Sequence, residues 1–348
     1  MGLGVVCAVA FALMACAGSA LAAAPVISNL EQRVGPEVGG LSVTVDGSGF
    51  TGTTSVSFGG VPATFFAPFN DGHQMHVGSP LGVGVVDVTV TTPEGTSEIV
   101  PADKFTYRPT PEFGICAKVG FEAGTFGAGG CLGEDNSGFG SAPYQWYRGF
   151  ESTRPLKQRG FTFDAAKGLK LETATKAKIT CASGSAGGEI TGDTTLALAT
   201  LKFTGCQSNI AHAVASCQGS GLGSGEIETG PLDGQMGITA LSFTPAKDLT
   251  GVELSPLAGE TFSEFSCGAT PVTIRGAIIL EMKKPNKMVE KLGWKATAKK
   301  GVQKTTSFVE QPAALLEVKL GEGGYEAVGL KLTATGVTEE ALEFNTIV

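Results

Sequence analysis

From Pro25 onward, apolar side chains recur at every second residue in short runs, the pattern of strands buried on one face. Leu41, Val43 and Val45 point one way in Leu41-Ser-Val-Thr-Val45, as do Val56 and Phe58, then Val86, Val88 and Val90, then Phe105 and Tyr107. Residues 25–30 read as an entry strand, 34–40 as a turn, and 61–66 as a strand that continues after the Gly59-Gly60 hairpin. Strands this short, separated this regularly by Gly-containing turns, predict an antiparallel sandwich over residues 25–108.

After the stiff joint Pro109-Thr-Pro111 the strand pattern resumes with a local echo. Ile179-Thr-Cys181 leads through a loose turn to Gly188-Glu-Ile-Thr-Gly192, and Ala215-Ser-Cys217 leads similarly to Gly225-Glu-Ile-Glu-Thr-Gly230. Phe265-Ser-Cys267 leads less closely to Val272-Thr-Ile-Arg-Gly276. Each unit reads strand, cysteine, turn, strand, either as an internal duplication or as similar hairpins of one barrel. Later strands are expected at 277–282, 315–320, 330–335 and 341–347. Residues 111–348 are therefore expected to form a second, larger β-rich domain, barrel or sandwich, and the whole chain to be all-β.

Composition adds little to this picture except at the ends. The chain has 51 glycines and only 17% charged residues, too few for long solvated helices. Residues 1–22 carry no charge and read as a signal peptide, an apolar run closed by Ala20-Leu21-Ala22 with cleavage after Ala22. No Lys or Arg precedes that run, and the apolar stretch is short for a membrane span. Leu13-Met-Ala-Cys16 offers a lipoprotein anchor as the minor alternative. The net charge is −8: residues 25–110 hold eight acids and three bases (−5), and 111–348 hold 25 acids and 22 bases (−3). Such an acidic balance argues against nucleic acid as a partner.

Cys7 and Cys16 lie in the leader. The remaining six (Cys116, Cys131, Cys181, Cys206, Cys217 and Cys267) are an even number in an exported chain and read as disulfides. Sequential pairing, Cys116 with Cys131, Cys181 with Cys206 and Cys217 with Cys267, closes the shortest loops. Zinc is the rival, but there is no Cys-x-x-Cys pair and no finger spacing to His73, His76 or His212.

Across residues 25–108 the order is Gly39-Gly40, Gly47-x-Gly49-Phe50, Val56-x-Phe58-Gly59-Gly60-x-x-Ala63, a Val-x-Val-Thr-Val strand, and Asp103-x-Phe105-x-Tyr107. This order resembles the IPT/TIG family of immunoglobulin-like domains. The resemblance implies structural roles for these glycines and aromatics, and in bacterial secreted or surface proteins a spacer or adhesive module. No basic loop matches the DNA-contacting surface of the Rel-type members, so that activity does not carry over. The remainder, with its Gly188-Glu-Ile-Thr-Gly192 and Phe203-Thr-Gly-Cys206 patterns, resembles uncharacterised secreted actinobacterial β domains, which bring no activity with them.

Candidate sites are few. Tyr144 and Trp146 would share one face of a strand and stack on a sugar ring, or anchor a core beside Cys116 and Cys131. Lys283, Lys284, Lys287, Lys291, Lys295, Lys299, Lys300 and Lys304, with Trp294 among them and only Glu281 and Glu290 as counter-charges, form a local positive field on an acidic protein or a solvated hairpin face. Glu134-Asp135-Asn136 has oxygen ligands but lacks a calcium-loop spacing, and reads as a turn. No nucleophile elbow, zinc-protease helix or phosphate loop occurs, and no cofactor is implied. Two functions stand. The first is a secreted or surface non-catalytic binding or structural protein that takes a cell-wall polymer, a glycan or a surface protein. The alternative is a secreted carbohydrate-active hydrolase with its site in the second domain. A hydrolase needs two carboxylates about 5–10 Å apart in a cleft.

Overall fold

The computed structural model describes residues 23–69, 71–119, 124–126, 131, 143–149, 159–210, 214–242, 247–283 and 285–345. The leader, the Glu134 loop, His212 and Lys284 lie outside the described residues. Among those described, the regular elements are all β-strands apart from one short 3-10 turn at Pro101–Asp103.

The N-terminal part is a two-sheet sandwich. One sheet orders Val26–Leu30, Ser42–Ser48, Gln74–Gly78 and Phe66–Pro68. The other orders Val34–Pro36, Lys104–Arg108, Val85–Thr92, Ser55–Phe58 and Val61–Pro62, with Gly95–Thr96 added to Val85–Thr92. The alternating positions read from the sequence meet between the sheets: Val43, Val45, Val56, Phe58, Val88, Val90, Phe105 and Tyr107 are all buried there. Phe105 packs edge-on against both Phe58 and Tyr107. The Tyr107 hydroxyl donates to Pro80 O at 2.9 Å.

Two expectations need correction. Residues 34–36 are not turn but a strand, paired in parallel with Lys104–Arg108. Residues 61–66 are not one strand: Val61–Pro62 closes the hairpin with Ser55–Phe58, while Phe66–Pro68 pairs with Gln74–Gly78 in the other sheet. Thr64 N donates to Gly78 O where the chain crosses between the sheets, so the change of sheet falls inside what reads as one apolar run.

The second part is a closed antiparallel barrel. Its pairings resolve into eight long, bent staves in up-and-down order, each usually two strands laid end to end. The first is Gly160–Ala165 with Leu169–Thr173; the second Lys178–Cys181 with Ser183–Ile190; the third spans 195–208; the fourth 215–240. The fifth is Leu249–Pro256 with Thr261–Cys267, the sixth Thr270–Gly276 with Ile278–Lys283, the seventh Val289–Ala296 with Leu316–Leu320, and the eighth the single strand Tyr325–Asn345. The eighth pairs with the seventh on one side and with the first on the other, which closes the ring. The echoed Cys181 and Cys217 units occupy the second and fourth staves, which run the same way. The looser third unit straddles the turn between the fifth and sixth. The echo is thus one meander repeating its geometry.

Inward positions are apolar and fill the barrel: Phe161, Phe163, Leu196, Val252, Leu280, Trp294 and Phe344 belong to one buried cluster. An apolar void of about 50 Å³ remains among leucines of the waist, too small for a lipid. Phe113, from the Glu112–Lys118 strand that pairs antiparallel with the end of the eighth stave, is fully buried in the same cluster. Outward positions between these apolar residues are polar or charged, as at Lys170, Lys202, Lys291, Lys295 and Lys331. A membrane barrel needs the reverse, an apolar outer band. No described helix is long and apolar enough to cross a membrane.

The disulfides join Cys116 to Cys131, Cys181 to Cys206 and Cys217 to Cys267. Cys181, Cys206, Cys217 and Cys267 lie on four neighbouring staves at one end of the barrel, with Cys217 N donating to Cys206 O and Cys217 opposite Cys267 in register. The third bridge sits outside the ring, at the hairpin of Glu112–Lys118 and Tyr144–Arg148.

Candidate functional site

Two surfaces of the barrel carry more charge or more space than packing requires. The first is the lysine flank. Lys291 and Lys295 project outward from Val289–Ala296, either side of Gly293. Lys283 stands opposite Gly293 on the next stave, and a Cβ on Gly293 would lie 3.5 Å from the Lys283 Cβ and Cδ. Three cationic side chains therefore surround one residue that has no side chain. Lys287 is exposed in the turn between those staves. None of Lys283, Lys287, Lys291 and Lys295 has an ion-pair partner among the described residues. Glu281, opposite Lys295, already accepts a hydrogen bond from the Thr305 hydroxyl.

Neither tryptophan joins this surface. Trp294 points inward, 1% exposed, packed edge-on against Phe161 and tilted against Phe163. Trp146 is 4% exposed and lies over Gly114, in a small cluster with Cys116, Cys131, Phe126, Tyr144 and Met288. Both indoles are thus enclosed in apolar packing, the core placement weighed for Trp146, while Tyr144 is half-buried beside it; an enclosed indole has no open face to give a pyranose.

The second surface is a cleft of about 860 Å³ where the sandwich meets the barrel. Pro36, Val38, Arg108 and Thr110 form its sandwich side. Its barrel side comes from the fourth to sixth staves and from the segment 308–315, which leaves the seventh stave and crosses the outside of the barrel. Phe308 of that segment sits on Gly237, where a Cβ would approach the ring within 2.5 Å, so glycine is what lets the segment lie flat. Arg275 is engaged by Glu317 at 2.8 Å and Glu260 at 3.7 Å, and its guanidinium stacks 3.8 Å over the Tyr325 ring. Arg108 meets Asp248 at 3.5 Å in a buried pair, and Ser242 N donates to the same carboxylate. Burial pushes the Asp248 carboxyl up despite the arginine and the backbone donor, so the cost of desolvation outweighs what the pair returns.

Glu253 differs from these acids. It faces the cleft between buried Val252 and Leu254, has no ion-pair or side-chain hydrogen-bond partner among the described residues, and burial raises its pKa. Its register partner is Gln235, and Asp233 pairs with Ser255 one step along the same outward face. These residues line an adjoining cavity of about 350 Å³ with Thr191 and Thr195, and Gln235, Glu253 and Ser255 border both spaces. Glu253 and Asp233 are diagonal neighbours, about 7–8 Å apart at their backbones. That is the feature nearest to the paired carboxylates expected of a hydrolase. In the sequence nothing marks it, because the four residues read as ordinary outward positions of two strands.

His73 Nδ1 lies 3.2 Å from Gly47 O and His76 Nδ1 3.5 Å from the Thr44 hydroxyl, on separate partners. No group of three or more potential metal ligands occurs among the described residues.

Residues 25–107 match the family model of the IPT/TIG domain. The match spans the whole sandwich described above, and agrees with the glycine and aromatic positions that carry the resemblance. Gly39, Gly40, Gly49, Gly59 and Gly60 of the IPT/TIG sandwich all adopt positive φ, a backbone state that side chains disfavour. No curated protein matches the chain. The IPT/TIG module is a structural or adhesive unit of immunoglobulin-like form, and its presence leaves the barrel's role to be argued from the barrel's own surfaces.

Proposed function

We propose that this is a secreted or cell-surface binding protein without catalytic activity, in which the IPT/TIG sandwich spaces or adheres and the disulfide-bonded barrel is the receptor for an anionic wall polymer. The observation that carries this reading is the convergence of unpaired Lys283, Lys291 and Lys295 around Gly293 on the outer barrel face. Like charges on neighbouring outward positions repel one another, with Glu281 opposite Lys295 offsetting only part of the field, and an anionic chain relieves that repulsion. The three internal disulfides and the leader pattern support an oxidising, external setting.

The test is retention of the protein on insoluble cell-wall material and on a panel of neutral glycans, with a salt titration. Retention on the wall that fades as salt rises is the expected result, since exposed charges are screened over about 8 Å at physiological ionic strength. Retention on neutral glycans that ignores salt would contradict the reading.

A further inference from the structure

The cleft between sandwich and barrel has a charge opposite to that of the lysine flank. Its walls and the adjoining cavity contribute Glu253, Glu260, Glu317 and Asp233 against Arg108 and Arg275, four acids to two bases. Both arginines are committed to carboxylates, Arg275 to Glu317 and Glu260, Arg108 to Asp248. Glu253 and Asp233 have no such partner among the described residues. Around them the lining is apolar and stiff: Pro256 and Pro312, with Val38 52% and Leu315 53% exposed.

We propose that this groove binds an extended basic peptide segment of a partner protein, seating a cationic side chain on Glu253 and Asp233 while its neighbours rest against Val38, Pro256, Pro312 and Leu315. The groove is open and two-part, which suits a chain rather than a compact ligand. Its unpaired charge is negative, which selects a cationic occupant over an acidic one. Its exposed apolar wall suits the aliphatic stems and prolines of a peptide. A neutral glycan is the weaker fit, because the aromatic ring that lines the cleft, Phe308, is 9% exposed and turned onto Gly237. Occupancy would bridge the sandwich and the barrel, since Val38 belongs to one and Glu253 to the other.

The experiment measures binding of the full chain to a fluorescein-labelled decapeptide of alternating lysine and proline, with a neutral chitin hexasaccharide as competitor and substrate. The double variant Glu253→Gln with Asp233→Asn is expected to weaken peptide binding about tenfold. Glu322→Gln, in an exposed turn away from the groove, should change it by less than about twofold. Val38→Arg, an exposed change on the sandwich side, places a repelling charge in the groove and should weaken binding without touching the barrel's fold. Equal peptide affinity in the wild type and both groove variants would overturn the proposal. So would hexasaccharide that displaces the peptide or is cleaved in a Glu253-dependent manner, which would identify the groove as a carbohydrate site. The lysine flank takes no part in this assay, so a failure here leaves the reading of that flank standing.

Discussion

Glu343 is a carboxyl fully enclosed beside the barrel end, opposite Gly114 in register, and burial pushes its pKa up to about 8. The sign follows from the unfolded chain, where the ordinary value is 4.5. Below that value both states hold the proton and folding meets no penalty. As pH rises toward about 8 the unfolded chain ionises first, so stability falls across that window and levels off above it. Glu343→Gln is expected to flatten this decline in a series of thermal melts taken from pH about 4.5 to about 8. An unchanged slope would show that Glu343 is not its source. At this scale some residues were legible and others were not. The six cysteines could be paired because hairpin neighbours close short loops. Trp294 could not be placed, because three lysines within five residues on either side (Lys291, Lys295 and Lys299) suggest solvent, while strand alternation carries the indole inward and Lys291 and Lys295 outward. Glu253 was invisible for the same reason: an outward glutamate on a strand looks solvated until the folded chain walls in the cleft it lines.

Among the elements, the eighth stave shows how one glycine disguises a strand. The interval between residues 335 and 341 reads as a break, yet Tyr325–Asn345 runs through it unbroken. Gly336 sits there because a Cβ would lie 3.3 Å from the Trp294 ring, so the missing side chain makes room for the indole. The barrel end is tied by Cys217–Cys267, which closes a loop of separation 50. Replacing both cysteines by serine should lower barrel stability by about 4 kcal/mol in chemical denaturation. The Cys116–Cys131 clip packs in its own small cluster outside the ring, and its removal should leave the barrel midpoint in place. Equal loss from both replacements would contradict a barrel that stands without the hairpin. Strand content was readable from alternation alone. Closure was not, because it depends on the eighth stave meeting the first across more than 150 residues of chain, a pairing that no local pattern announces.

In the whole molecule, the sandwich is held to the barrel by the buried Arg108–Asp248 pair and by the Gly40 turn, where a Cβ would stand 3.4 Å from Glu310. Removing the charge from one side of such a pair strands the other. Asp248→Asn, which keeps the acceptor for Ser242 N, is expected to cost about 3 kcal/mol and to separate the sandwich and barrel transitions in calorimetry. A change below about 0.5 kcal/mol would mean that the pair does not couple them. The lysine flank and the acidic cleft give the molecule surfaces of opposite charge, which the proposals above assign to a polyanion and to a basic chain, on an IPT/TIG-bearing scaffold fastened by disulfides. The most direct test of the central claim compares Lys291→Glu with Lys295→Glu against a control of equal charge change, Lys118→Glu with Lys167→Glu, on insoluble anionic wall polymer at low salt. The flank variant should lose retention while the control keeps it. Equal retention of the two would contradict the account.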